Sequence, residues 1–267
     1  MAKNSVLLDL VGAGAFAYRD QTYVTLRDAD QHRDLWTHRS PYSHGFVDSN
    51  VSRDLSRAAF LSQVDGVEVW DAAADRVLFR EPAVSRWNAA VALSPDGERA
   101  AWTATTTAHI RELASGGERR FTLDGVPTWV GFSPDSTKLA IATQGTISLW
   151  DAGTGRALWN VPQESTADQV FTLSWSSDAR SLLLRYGGMG TMMFDARNGE
   201  LLARFPGSVG LTTAVRPDLR AMLVANSTNW DLRTLPEPAS DSPEESLATT
   251  LRKTGLALSG AEIVAAP

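Results

Sequence analysis

The stretch GFSPDSTKLAIATQGTISLWD, Gly131 to Asp151, decides the fold. With its flanks it holds four short runs, TWVGFS, KLAIAT, TISLWD and ALWNV, in which Val, Thr, Ile, Phe and Trp alternate with polar residues. That period-two pattern is the signature of half-buried strands. Between the runs stand SPDS, TQG and DAGTG, the residue types that form tight turns because Gly takes positive φ and Asp and Ser bond the local backbone. The stretch therefore predicts a four-stranded antiparallel meander.

The same text recurs along the chain. A turn with Asp in third place returns as SRD at Asp54, SPD at Asp96, SPD at Asp135, SSD at Asp178 and RPD at Asp218, every 39 to 43 residues. A second mark, an acidic residue closing a strand, falls at Asp28, Asp71, Glu112, Asp151, Asp195 and Asp231, in steps of 36 to 44. Two markers that keep one period and a nearly constant offset define an internal repeat. One small sheet cannot bury both its faces, so the copies pack face to face, and radial packing closes them into a ring. The expected fold is all-β: a β-propeller of about six four-stranded blades, with seven left open. The first copy (Ser5 to Thr37) and the last are degenerate. The last needs an outer strand, for which the chain end is a candidate source.

In these features the sequence resembles the WD40-repeat proteins of bacterial type. The resemblance rests on the period, on the Trp-Asp pairs Trp70-Asp71, Trp150-Asp151 and Trp230-Asp231, and on SPDG turns, and it runs from about Leu8 to Leu235. One departure matters. No His follows a Gly, so the buried His-Ser/Thr-Asp-Trp network of that family is missing, and blade cohesion falls to apolar packing, with the aspartates as turn-capping acceptors. The resemblance implies a scaffolding or sensing role, often within a larger assembly. Two regions are expected: a propeller over residues 1–235 and an extension over 236–267 that packs on it. In the extension, Ser242, Pro243 and Glu245 read as a capping-box helix start stopped by Gly255, and two short strands follow about Ser259 and Gly260.

Composition narrows the functional classes. The net charge of -6 and the pI near 5.3, with 25 scattered Lys and Arg, leave no basic stripe for nucleic acid. No apolar run approaches the roughly 18 to 20 residues of a membrane-spanning helix. The opening MAKNSVLLDLVGAGAFA reads as the first strand, since Asp9 interrupts what a secretory leader keeps apolar. The absence of Cys excludes disulfides and thiolate metal sites, and the cytoplasm is the default compartment.

First strands line the channel of a propeller, and the expected ones, NAAVAL, PTWVGF, VFTLSW and LTTAV, carry no Asp, Glu, His, Lys or Arg. General acid-base chemistry and metal-assisted hydrolysis both need such groups. RDADQHRD (Arg27 to Asp34) lacks the Gly and distal Glu of a calcium loop and reads as a charged turn; YGGMG (Tyr186 to Gly190) reads as a flexible turn. His109 reads as structural. We therefore expect a non-enzymatic interaction module that binds a protein or peptide, with no cofactor, metal, nucleic acid or membrane. Its candidate anchors are Tyr42, His44, Arg86, Trp87, Trp129, Tyr186 and Met189, the side-chain types that bury much area at little entropic cost. A propeller hydrolase or lactonase, and a regulatory or neutralising subunit of a partner enzyme, are the alternatives.

Overall fold

The computed structural model describes residues 23–28, 31–39, 48–62, 66–82, 90–163, 170–186 and 190–205 with their side chains, those of Phe171 and Phe205 excepted. It describes the backbone alone for 6–11, 15–19, 212–215, 221–225, 230–234, 256–259 and 262–265. These residues form 25 strands in seven sheets. Blade 1 contains β1 (Val6–Val11), β2 (Ala15–Arg19), β3 (Tyr23–Asp28) and β4 (Arg33–Arg39). Blade 2 contains β5 (Asp48–Val51), β6 (Arg57–Ser62), β7 (Gly66–Asp71) and β8 (Arg76–Glu81). Blade 3 contains β9 (Val91–Leu93), β10 (Arg99–Ala104), β11 (Thr107–Glu112) and β12 (Glu118–Thr122). Blade 4 contains β13 (Pro127–Phe132), β14 (Lys138–Thr143), β15 (Thr146–Asp151) and β16 (Ala157–Pro162). Blade 5 contains β17 (Val170–Trp175), β18 (Ser181–Tyr186), β19 (Thr191–Asp195) and β20 (Leu201–Phe205). Each is an antiparallel meander in sequence order. A three-stranded sheet follows, β21 (Thr212–Val215), β22 (Ala221–Ala225) and β23 (Trp230–Thr234).

First strands lie beside first strands: β1 by β5, β5 by β9, β9 by β13 and β13 by β17. The sheets are thus the blades of a β-propeller. Its core is not one mass but a series of layers, each made by two neighbours. Ala101 and Ile110 of blade 3 meet Val130, Leu139 and Ile141 of blade 4, and Ile147 and Leu149 of blade 4 meet Leu182 and Leu184 of blade 5. All are buried, so each interblade layer supplies the hydrophobic stabilisation that a lone sheet cannot.

The Ser-x-Asp turns fold identically in four blades. Ser52, Ser94, Ser133 and Ser176 each donate to the Asp two residues on at 2.5 to 2.7 Å. Each serine oxygen also accepts the amide five residues on, at 2.8 to 3.0 Å. The aspartates cap in turn the amides of Ser56, Glu98, Thr137 and Arg180. Burial raises the pKa of Asp54, Asp96 and Asp135, but these hydrogen bonds outweigh it and hold all three carboxyls below their usual range. The strand-closing aspartates are also turn caps, accepting the amides of Gln31, Ala74, Thr154 and Arg197 from Asp28, Asp71, Asp151 and Asp195. The capping role expected from the sequence is what the structure has.

Bonds between blades add to the apolar layers. The turns are stapled together: Arg53 N donates to Pro95 O at 2.9 Å, and Asp96 N to Ser136 Oγ at 3.2 Å. Outer strands reach forward to the next blade. Trp36 Nε1 donates to Asp75 at 3.0 Å, Trp159 Nε1 donates to Ala196 O at 3.0 Å, and Phe121 stacks on Trp150 with centroids 4.1 Å apart.

The last repeat corrects the sequence reading. Ala221 pairs with Thr234, as Lys138 pairs with Asp151 and Ser181 with Asp195. The residue equivalent to the closing aspartate is therefore Thr234, not Asp231. The step from Asp195 becomes 39 and the offset from Asp218 becomes 16, in line with the other blades. After it, β24 (Leu256–Ser259) and β25 (Glu262–Ala265) pair with each other in a sheet of their own, so the expected hairpin forms but does not complete the sixth blade. The expected helix after Ser242 lies outside the described residues. Among the described residues, no helix is long and apolar enough to cross a membrane.

Candidate functional site

A channel of about 960 Å³ runs between the first strands of blades 2 to 5. Its wall includes Asp48, Asn50 and Arg53 from blade 2, Trp129 from blade 4, and Thr172, Ser174 and Trp175 from blade 5. Asp48 and Arg53 correct the expectation of a wall without ionisable groups. The first strand of blade 2, DSNV, has no apolar alternation, so its sequence reads as loop and its carboxylate was missed. A single signal could have found it, since Asp48 stands four residues before the turn serine Ser52, as Trp129 stands four before Ser133.

Asp48 is committed to the fold. One carboxylate oxygen accepts the amide of Ser49 at 2.9 Å, and the other accepts the amide of Val91, in the next blade, at 3.0 Å. Asn50 Oδ1 takes the amide of Leu93 at 3.1 Å in the same manner. Two polar side chains of blade 2 thus satisfy the inner backbone edge of blade 3, which buried amide groups require.

Trp129 and Trp175 are the tryptophans of the wall, and Trp129 is the one held against a glycine. A Cβ on Gly131 would lie 1.9 Å from Trp129 Cη2, so the indole lies across a backbone that only glycine leaves clear. Its buried part packs on the layer between blades 4 and 5, and the rest faces the channel. Trp129 is therefore a channel residue of β13 and not part of a loop. Tyr186, at the end of β18, is 5% exposed and belongs to that same interblade layer. Tyr42, His44, Arg86, Trp87 and Met189 lie outside the described residues.

Other titratable groups serve structure. In the RDADQHRD segment Arg27 pairs with Asp34 and donates to His32 O at 2.6 Å, as a charged turn should. His109 lies in β11, stacked on buried Trp102, and its Nδ1 is 3.0 Å from Glu118. Glu118 also takes Arg120 at 2.6 Å, and although burial raises its pKa, these partners hold the carboxyl below the usual range. Among the described residues no group of three or more His, Cys, Asp or Glu is placed to hold a metal ion.

The class defined by this arrangement is a β-propeller with a mixed aromatic and polar channel. No protein-family model and no curated protein matches the sequence. Among solved structures the chain is similar to hydrazine synthase of Kuenenia stuttgartiensis, with a TM-score of 0.62 at 17% identity over 82% of this chain and 72% of that one. In all, 1581 solved chains match, which makes the likeness a statement about fold and leaves function to the site.

Proposed function

We propose that the protein is a WD40-type interaction module: a stiff disc that presents its channel wall and adjoining loops to a protein or peptide partner, without catalysis, as a part of a larger assembly. The observation that carries this reading is Trp129, an aromatic held across Gly131 in the wall of a channel wide enough for an inserted side chain. Rigid aromatics in such positions are the usual energetic centres of interfaces. The enzyme alternative would call on Asp48, and both of its oxygens already accept backbone amides.

The test is affinity capture from extracts of the protein's own cells with wild type and Trp129→Ala, each shown folded by circular dichroism. A partner that wild type retains and the variant loses by about thirtyfold, the effect of a ~2 kcal/mol hot spot, is expected. Equal capture by both removes the channel wall from the reading.

A further inference from the structure

The turn end of the channel carries a charge that the fold leaves unused. Arg53 follows the turn serine Ser52, as Pro95 follows Ser94 and Pro134 follows Ser133, and all three line the channel. Other cations beside these turns are neutralised: Arg57 lies 3.0 Å from Asp71, Arg99 2.7 Å from Glu112 and Lys138 3.8 Å from Asp135. Arg53 is exposed, and among the described residues its guanidinium has no hydrogen-bond or ion-pair partner. Asp54, its neighbour in sequence, is turned to Ser52 and to the amide of Ser56. Asp48, the other ionisable group of the wall, accepts the amides of Ser49 and Val91.

Backbone groups of the wall are unmatched as well. Ser133 N donates to Lys138 O, and antiparallel pairing alternates, so Gly131 bonds to β14 while Val130 and Phe132 turn their N–H and C=O groups to the channel. The bond from Ser176 N to Ser181 O places Leu173 and Trp175 of β17 in the same way. In blade 3 the matching amides, Val91 and Leu93, are taken by Asp48 and Asn50. The residues equivalent to that pair are Ala90 and Ala92 in blade 3 and Trp129 and Gly131 in blade 4, none of which has an acceptor side chain. The inner edges of β13 and β17 thus keep donors and acceptors that no side chain among the described residues takes up.

We propose that the channel takes an extended acidic segment of the partner protein, with a carboxylate on Arg53 and main chain against the unmatched groups of β13 and β17. A guanidinium and a carboxylate form the strong, directional pair that this charge calls for, and an extended main chain brings the alternating donors and acceptors that a strand edge needs. Arg53 stands one residue after its turn serine and Trp129 four before its own, an offset of about five residues or 16 Å along the channel. A small anion on Arg53 leaves Trp129 untouched, whereas an extended segment reaches both. The segment therefore carries Asp or Glu at one end and, at the other, a side chain that packs on Trp129. This rests on the interaction-module reading and names the chemistry of its partner.

The test pans random linear peptides displayed on phage against the full chain. Enriched peptides are synthesised with a fluorescent label, and their affinities for wild type, Arg53→Gln and Trp129→Ala are measured by fluorescence polarisation. Asp or Glu is expected in the enriched set. Arg53→Gln keeps the backbone bond to Pro95 O, so its urea midpoint should equal that of wild type, while its affinity for the acidic peptides should fall about tenfold. Changing the peptide's Asp or Glu to the amide should cost as much on wild type and nothing further on Arg53→Gln. Should that variant unfold, the same cycle is run with Arg53→Lys, which loses the two-pronged contact. Equal affinity for wild type and the Arg53 variant overturns the proposal, as does an enriched set without acidic residues or no enrichment at all. Inorganic phosphate that binds by calorimetry only when Arg53 is present, with no peptide enriched, assigns the site to a small anion and also overturns it. Binding lost in Trp129→Ala but kept in Arg53→Gln would end this proposal and leave the interaction-module reading standing. The reverse pattern would uphold the Arg53 contact and end the Trp129 reading.

Discussion

The Ser-x-Asp turns and the channel wall sit a few residues apart on the same strands, yet they diverge. Ser52, Ser94, Ser133 and Ser176 make the same two side-chain bonds, while the residues four places before them are Asp48, Ala90, Trp129 and Thr172. Where backbone geometry dictates chemistry, the repeat is copied. Four places upstream each blade carries something different: Asp48, Trp129 and Thr172 line the channel, while Ala90 is buried in the layer between blades 3 and 4. That contrast assigns stability to the turns and leaves the wall as the surface on which the proposed interaction reading rests.

The sharpest attempt to break it is Gly131→Ala. A Cβ 1.9 Å from the Trp129 ring forces the indole away, and a loss of about 2–3 kcal/mol is expected in urea denaturation, near the top of the overpacking range. In a Trp129→Ala background the same change should cost far less, and additivity of the two would show that the ring is not held as described. Ser133→Ala comes next. It leaves the half-buried amide of Lys138 without its acceptor, for an expected cost of about 1–2 kcal/mol, and Ser94→Ala should match it if the turns are equivalent. Asp48→Ala removes the acceptor of Val91 N at the edge of the channel and should cost about 1 kcal/mol, without altering the turns' acid response.

Smaller still is a gain. The fourth turn position is left-handed in the four described Ser-x-Asp turns, with φ of 58° at Leu55, 72° at Gly97, 62° at Ser136 and 58° at Ala179. Ala179→Gly should stabilise by about 0.5 kcal/mol, relief of strain exceeding the added chain entropy. Smallest per turn is the acid response. Because the folded-state pKa values of Asp54, Asp96 and Asp135 are depressed, their contribution is complete above about pH 4 and is lost as pH falls through the folded values. Melting temperature against pH should fall below that point, and Asp135→Asn should flatten the fall.

Period, strand order and turn chemistry were legible in the sequence because each is local: the alternation of KLAIAT, the SPD triplets and the spacing between them. Asp48 escaped because its strand, DSNV, carries a single apolar residue, Val51, so alternation gave no signal. In the sixth blade the pair Trp230-Asp231 imitated the marker three residues early, and only the pairing of Ala221 with Thr234 exposed the slip. The bonds of Trp159 to Ala196 and Asp48 to Val91 were out of reach, since they join residues 37 and 43 apart that only the ring brings together.

The forward reach of the outer strands has a consequence during synthesis. Trp36 waits for Asp75 and Trp159 for Ala196, 39 and 37 residues downstream. As the polypeptide leaves the ribosome at roughly 5–20 residues per second, blades 1 and 4 lack these bonds for some 2 to 8 seconds until the next blade emerges. Through that interval the indole N–H groups of Trp36 and Trp159 have yet to meet the acceptors they hold in the finished ring.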